Sequence, residues 1–573
     1  MNRKFSLTVV VAASVLAACS SGDINIDPQT NVTNSNNTTN PGGGGSANDI
    51  CASYVNTGGQ KIQGTADAGG NCTYGPSFVS NILPLKVDMT IPALPNDGAH
   101  IFTTSLFVGE SYRSNTEMAA AGIFEGGDGP TLTVEAGASV AFRSSTDFLV
   151  INRGSRIIAV GTATAPITFT SESDVLGTLP DPEAVQQWGG MVINGFGVTN
   201  SCSYTGTRGQ PGFTLAAECH TDSEGSAGND ENQYGGDNDD DSSGQLEYVV
   251  VKHTGATVGN GDELNGITFG AVGRNTIVRN LQVYSTYDDG IEMFGGAVSF
   301  ENYVALYVRD DSIDVDEGWN GTITNALVIQ SETDGNQCIE ADGLGDFDNL
   351  DPAVVEDFIA RGLQTSPVIN HLTCIFSANG AATATHDPGA GFRLREGLTP
   401  IINNAIVVGT FGPTDATSGN DNFCLRIDNR SQQAALDGEL QLNSVLWSCG
   451  ENTRGQSLAG TAVTELAFAT DDPTYGQGGQ FASVAGGAPT SPTANNDPDL
   501  QLLGGDRGYA SLPWATSLID GAAPVATSAP VDVGAGVPSY LGAVDSAGVD
   551  WTIGWTYGIH DGARGQPLWI ESL

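Results

Sequence analysis

The feature that most constrains this chain is a repeat of 22 to 26 residues in its middle. Gly266-Ile267-Thr268-Phe269 aligns with Gly290-Ile291-Glu292-Met293, then Ser312-Ile313-Asp314-Val315, then Cys338-Ile339-Glu340-Ala341. The isoleucines step by 24, 22 and 26 residues. A second register runs in phase through Asn280, Asn302 and Asn325, each inside an apolar run, and continues at Asn370, Asn404 and Asn443. Short β-branched runs at this period, with no regular helix between them, define a solenoid. The leucine spacing of leucine-rich repeats is absent. The pattern therefore predicts an all-β chain, a right-handed parallel β-helix with about three strands per coil and coils stacked at ~4.8 Å. Stacked isoleucines would line the interior, and stacked asparagines would form an amide ladder at a turn.

The rest of the chain is arranged around that solenoid. Residues 101–545 are assigned to it, and capping segments are expected at both ends, over 49–100 and 546–573, because an uncapped end exposes strand edges. Trp551 and Trp555 are expected to cover apolar surface there. Asp351 to Gly362 is the best helix candidate, and Pro182 to Trp188 reads as one short turn. An acidic insertion at 222–244 carries Asp237, Asp239 and Asp241 in alternation, but the glycine and glutamate of an EF-hand loop are missing. It reads as a solvated loop. Apart from Cys19 there are eight cysteines, and an even number in an exported chain points to disulfides. Sequential pairing is preferred: Cys51–Cys72, Cys202–Cys219, Cys338–Cys374 and Cys424–Cys449.

Several segments resemble a known family. They are Trp188 to Gly195 (WGGMVING), Tyr287 to Gly296 (YDDGIEMFGG), Asp310 to Gly318 (DDSIDVDEG), Phe392 to Gly397 (FRLREG), and the ending Tyr540-Leu541-Gly542-Ala543 with Trp551 to Thr556 (WTIGWT). Together they are similar to bacterial outer-membrane or surface lipoproteins with a pectate-lyase-like β-helix. The resemblance implies fold and location, and no established activity comes with it.

Alternation along the strands puts the isoleucines inward and their neighbours outward. Thr268, Glu292, Asp314, Glu340 and Arg393 then share one outward column. Gly270, Phe294, Asp316, Asp342 and Arg395 share the next. Asp288, Asp289, Asp310 and Asp311 sit in the turns just before these strands. Like charges stacked this closely repel and need compensation. Calcium is one source, with Asp310, Asp311, Asp314, Asp316, Glu317, Glu292, Glu340 and Asp342 as candidate ligands, since this ion takes six to eight oxygens. An acid–arginine network through Arg309, Arg393 and Arg395 is the other. For an enzyme, the resemblance suggests polysaccharide lyases and hydrolases: a lyase would use calcium and an arginine or lysine base, with Arg393, Arg395, Arg309 and Lys252 as candidates, whereas a hydrolase would use paired carboxylates such as Asp288 and Asp289. The aromatics nearby (Tyr287, Phe294, Tyr303, Tyr307 and Trp319) are better explained by packing between coils than as sugar platforms.

The N-terminus bears on location. Arg3 and Lys4 precede a short apolar run, Leu7 to Leu16, too short to span a bilayer. The run ends in Leu16-Ala17-Ala18-Cys19, which resembles a bacterial lipobox, so residues 1–18 read as a signal peptide and Cys19 as the acyl acceptor. Ser20 resembles the residue that favours the outer membrane in Gram-negative lipoproteins; which face is left open. Residues 19–48 are polar and glycine-rich and read as a flexible tether. A net charge of −45 argues against nucleic acid as a partner. The expectation is a membrane-anchored, calcium-stabilised surface scaffold that meets the bilayer through its anchor. Polysaccharide or an outer-membrane protein is its candidate partner. Whether it is also an enzyme is left open, with a lyase and an accessory subunit of an outer-membrane transport or export system as alternatives.

Overall fold

The computed structural model describes residues 50–572, except 125, 226–231, 258–262, 378–388, 410–422, 450, 455, 470–479, 482–532, 534–539, 541, 545–548, 561 and 564. Residues 1–48, read above as a signal peptide, the acyl acceptor Cys19 and a tether, lie outside the described residues. The expected solenoid is present as a parallel β-helix. Among the described residues, one sheet stacks ten parallel strands, from Leu106–Val108 through Ile267–Gly270, Ile291–Phe294, Ile313–Asp316, Gln337–Asp342, Ala390–Arg395 and Phe423–Ile427 to Glu451–Thr453.

The other side of each coil is a longer strand with a corner in it. Gly244–Lys252, Ile277–Tyr284, Ser299–Leu306, Thr322–Ile329 and Val368–Ile375 pair in parallel on both sides of one residue. That residue is Tyr248, Asn280, Asn302, Asn325 or His371, with φ between 51° and 63° as at Asn280 (51°), Asn302 (63°) and Asn325 (62°). Asparagine tolerates this left-handed conformation better than most residues. The two halves of each bent strand and the strand of the first sheet make the three strands per coil.

Registers follow the sequence alignment. Ile267 pairs with Ile291 and Ile291 with Ile313, and the pairing of Asp314 with Glu340 sets Ile339 next; all four isoleucines are buried. The asparagines do form ladders, but two of them. Asn302 Nδ2 donates to Asn280 Oδ1 (3.0 Å) and Asn325 Nδ2 to Asn302 Oδ1 (2.8 Å). One residue earlier in the coil, Asn403 Nδ2 donates to Asn370 Oδ1 (2.8 Å) and Asn443 Nδ2 to Asn403 Oδ1 (3.0 Å). Asn404, expected in the ladder, instead takes the left-handed corner (φ 58°). His371 holds that corner one coil earlier, so the amide column shifts by one position.

Cys51–Cys72, Cys202–Cys219 and Cys338–Cys374 are bonded as expected. Cys424 is also disulfide-bonded, while the Cys449 side chain lies outside the described residues. The predicted helix spans Pro352–Ala360, with Asp351 as its cap accepting the N–H of Ala353 (2.9 Å) and proline in the first turn. The stretch 182–188 contains a turn and no helix.

At the N-terminal end, two small antiparallel pairs (Ser53–Val55 with Lys61–Gln63, Thr65–Ala66 with Cys72–Tyr74) lead into the parallel coils. Their aromatic residues start an internal stack: Tyr74 on Phe102 (4.6 Å), Phe102 on Phe142 (5.7 Å), Phe142 on Trp188 (4.6 Å). The C-terminal segment behaves differently from its expected role as an end cap. Ala543, Val544, Trp555, Ile559, Leu568, Trp569 and Ile570 pack along the flank, on outward-facing Val250, Tyr284, Val304, Leu306, Leu327 and Ile406. Leu458, Phe468 and Ala469 join the interior core beyond the last strands instead.

The ladder gives a stability test. Asn302→Ala removes a donor and an acceptor from the amide column and strains a left-handed residue, with an expected cost of about 2–3 kcal/mol in urea unfolding. Asn302→Gly relieves the backbone strain but not the lost ladder, so its cost should lie between alanine and wild type. Equal stability of all three chains would remove the ladder from the account.

Candidate metal centre

Two observations build the site: strand register and the path of the turns. In register, Thr268 pairs with Glu292, Glu292 with Asp314, Asp314 with Glu340 and Glu340 with Arg393. Arg426 extends this column by one more coil. In the second column Gly270 pairs with Phe294, Phe294 with Asp316 and Asp342 with Arg395. The turns stack in the same way. Asp289 Oδ1 accepts the backbone N–H of Asp311 (2.9 Å), and Asp311 Oδ1 accepts that of Gln337. One coil earlier, Asn265 Oδ1 accepts the N–H of Asp289 (3.2 Å). Each acid thus holds the next turn while presenting its second oxygen to the column.

The result is three overlapping groups of carboxylates that can hold a metal ion. They are Asp288, Asp289 and Asp310; Asp289, Glu292 and Asp314; and Asp311, Asp314 and Glu340, each with one oxygen per residue within 4.8 Å of the others. Asp289 and Asp314 each belong to two groups. Asp314 Oδ1 is buried and has no hydrogen-bond partner. Burial raises the carboxyls of Asp288, Asp289, Glu292, Asp311, Asp314 and Asp316 well above their ordinary range, and neighbouring negative charge pushes them further.

The arginines compensate one end. Arg393 Nη1 lies 2.8 Å from Glu340, Arg395 Nη2 lies 3.1 Å from Glu340, and Arg395 grips Asp342 with two nitrogens. Burial raises Glu340 too, but Arg395 and Arg393 oppose it. Arg309 turns elsewhere, to Asp334 (3.9 Å) and the carbonyl of Glu183 (3.1 Å). The two sources of compensation weighed on the sequence therefore divide the column. The arginine network holds Glu340 and Asp342, and the groups around Asp288, Asp289, Glu292 and Asp314 lie upstream of it.

The outward face is not a solvent face, because the insertion covers it. Asn265 Nδ2 donates to Glu224 (2.6 Å) and to Glu292 (2.5 Å), and Thr268 Oγ1 donates to Glu224 (3.3 Å). Glu224 thereby joins the carboxylate column, a placement no local pattern announces. The expectation of a solvated loop is overturned. Asp239 forms a buried two-nitrogen pair with Arg208 (2.7 and 2.9 Å). Asp241 accepts the N–H of Phe196 (3.0 Å), and Asp237 accepts from Thr214 and Leu215 (both 2.9 Å). Asp241 thus ties the insertion to the rod, while Asp237 and Asp239 tie it to the preceding 201–215 segment. Glu317 also ties it to the rod, accepting from Thr199 Oγ1 (2.6 Å), Ser201 and Tyr234 OH (2.7 Å). Asp316, whose carboxylate takes the N–H of Glu317, also stands apart from the three groups. Tyr303 and Trp319 are core residues and Tyr307 is buried under the C-terminal segment, so packing accounts for them.

Residues 111–482 match the family model described as a pectate-lyase like beta helix domain, and the chain belongs to that family. No curated protein matches the chain. No solved structure matches it either.

The raised carboxyls fix a pH dependence. Their folded values lie above the unfolded ones, so the native state holds protons that the unfolded chain releases. The associated stability is present below the ordinary aspartate value of 3.8 and is lost as pH rises through the folded values. Without divalent cations, the unfolding midpoint is expected to fall from about pH 4 upward. Asp314→Asn should flatten that fall and add about 1–2 kcal/mol at pH 8. A midpoint that rises with pH in chelator would contradict an uncompensated column.

Proposed function

We propose that this chain is an exported lipoprotein, anchored through Cys19, that holds out a β-helix scaffold whose acidic column binds calcium. The observation that supports this reading best is the set of three overlapping carboxylate groups, whose upstream members Asp288, Asp289, Glu292 and Asp314 form no ion pair with Arg393 or Arg395 among the described residues. The donors are all oxygens, and neither cysteine nor histidine is among them, which suits a hard cation rather than zinc. Carboxylates in consecutive turns and strands supply charge and oxygen donors. A bound cation would stabilise the stack and present positive charge to an anionic polysaccharide or a neighbouring outer-membrane protein.

A scaffold suits the arginines better than a lyase does. Burial works to lower Arg395, but its hydrogen bonds to Asp342 and the charge of Glu340 outweigh that and hold it above its ordinary value. A guanidinium so paired keeps its proton and is a poor base. Asp288 and Asp289, the candidate hydrolytic pair, are members of the carboxylate groups above.

Calcium titration of the full mature chain by calorimetry is expected to give saturable heat. Asp289→Asn and Asp314→Asn, each removing a shared member, should weaken binding by about tenfold or more. At a hundred times the dissociation constant the ion should add about 2.7 kcal/mol of stability. Absence of heat up to millimolar calcium would discard the metal reading. The anchor is tested separately: Cys19→Ser should move the protein from the membrane fraction to the soluble fraction and abolish acyl labelling, and an unchanged membrane fraction would discard Cys19 as the tether.

A further inference from the structure

Arg153 follows the strand Leu149–Ile151 and is 6% exposed. Its Nη1 donates to the carbonyls of Cys219 (2.9 Å) and Gly235 (2.8 Å), and its Nη2 to the carbonyl of Tyr112 (3.1 Å) and to His220 Nδ1 (2.7 Å). The Phe196 ring centroid lies 5.5 Å from the guanidinium. Among the described residues no carboxylate pairs with it. Glu218 sits beyond His220, 3.6 Å from Nε2, and does not reach the guanidinium. Burial pulls Arg153 down to about 10. A buried cation without an acid partner is costly, and the cost stands out in a chain of net charge −45.

The same residue lines a cleft of about 470 Å³ between the helix Asn115–Ala121 and the insertion. Its walls include Met118, Ile123, Phe124, Phe196 and Leu215. Phe124 is more than half exposed and adds apolar surface to the cleft wall. His220 Nε2 bonds Asn115 Oδ1 (3.1 Å), and Asn115 also lines the cleft. Neutral His220 accepts from Arg153 on one nitrogen and donates to Asn115 on the other. All four terminal N–H groups of Arg153 are thereby taken, so its positive charge acts on a ligand through space, and Asn115 lines the cleft beside it.

We propose that this cleft binds a small amphiphilic carboxylate, with its apolar body on the Met118–Phe124–Leu215 wall and its head at Asn115, within the field of the buried Arg153 charge. The cleft volume is within the range of roughly 300–1,000 Å³ typical of small-ligand sites. Long-range charge on this chain repels anions, so the apolar wall supplies most of the affinity and the arginine supplies the choice of head group.

The full chain carrying Cys19→Ser, which needs no competing detergent, is titrated with decanoate and with decanol by calorimetry. One-to-one decanoate binding is expected, with decanol weaker by about tenfold or more. Ala119→Trp, on the exposed helix face lining the cleft, should block decanoate by about tenfold or more without unfolding the chain, and Arg153→Gln should remove the preference for decanoate. If Arg153→Gln does not fold, the decanol comparison and Ala119→Trp decide. No saturable decanoate binding below about 1 mM, equal binding of decanol, or full binding by Ala119→Trp would each overturn the proposal.

Discussion

Everything in this molecule depends on the hydrogen-bond register between successive coils. Backbone N–H groups of one coil meet carbonyls of the next along the parallel sheets, so the side chain at a given position recurs in a column at ~4.8 Å. Inside, that recurrence is favourable: Ile267, Ile291 and Ile313 stack, and Tyr74, Phe102, Phe142 and Trp188 form an aromatic column. At the corner it suits amides, since an asparagine can both donate and accept along the column, as Asn302 does. Outside, the same rule stacks Glu292, Asp314 and Glu340, where recurrence means repulsion.

The chain answers that repulsion unevenly. Two arginines of a single coil, Arg393 and Arg395, neutralise the downstream members Glu340 and Asp342. Upstream, the insertion removes water and brings in Glu224, one more carboxylate. An insertion serving only to cover the column would be better served by a lysine or arginine there. Elsewhere the chain does pair an acid with arginine, as Arg208 does with Asp239. Adding an acid and excluding solvent makes physical sense where positive charge comes from outside the chain, and this favours a cation over a protein-made network at that end.

The columns were legible because they depend on local information: short strands, a regular period and strict alternation. Even the pairing of Glu340 with Arg393 followed from alignment, despite a spacing of 53 residues. What alternation cannot say is whether outward means exposed. Thr268 and Glu292 point out of the coil and are still buried, because residues from an insertion tens of positions away return over them. The same holds for Asp237, Asp239 and Asp241, whose alternation resembled a loop motif but whose partners, Thr214, Arg208 and Phe196, come from distant segments. The shift from Asn404 to Asn403 had another cause. His371 fills the corner in the preceding coil, and a corner residue is chosen by backbone conformation while the ladder is chosen by side-chain contact.

The C-terminal segment shows a signal that was present in the sequence but read as something else. The second halves of the bent strands are continuously apolar: Tyr303-Val304-Ala305-Leu306, then Ala326-Leu327-Val328-Ile329. Such runs indicate strands buried on both faces. One face belongs to the interior, so the other requires a cover, and a tail with Trp555 and Trp569 suits a flank as well as an end. Two polar residues interrupt the outward column of Val250, Gln282, Val304, Leu327 and Thr373, and both meet the tail's backbone. Gln282 donates to the Tyr557 carbonyl and accepts its N–H (both 2.7 Å), and Thr373 Oγ1 accepts the N–H of Ala543 (2.8 Å). A tail that merely happened to lie on an apolar strip would leave those polar groups buried and unsatisfied. Their pairing with the tail backbone fixes its register on the rod, as the coils fix one another.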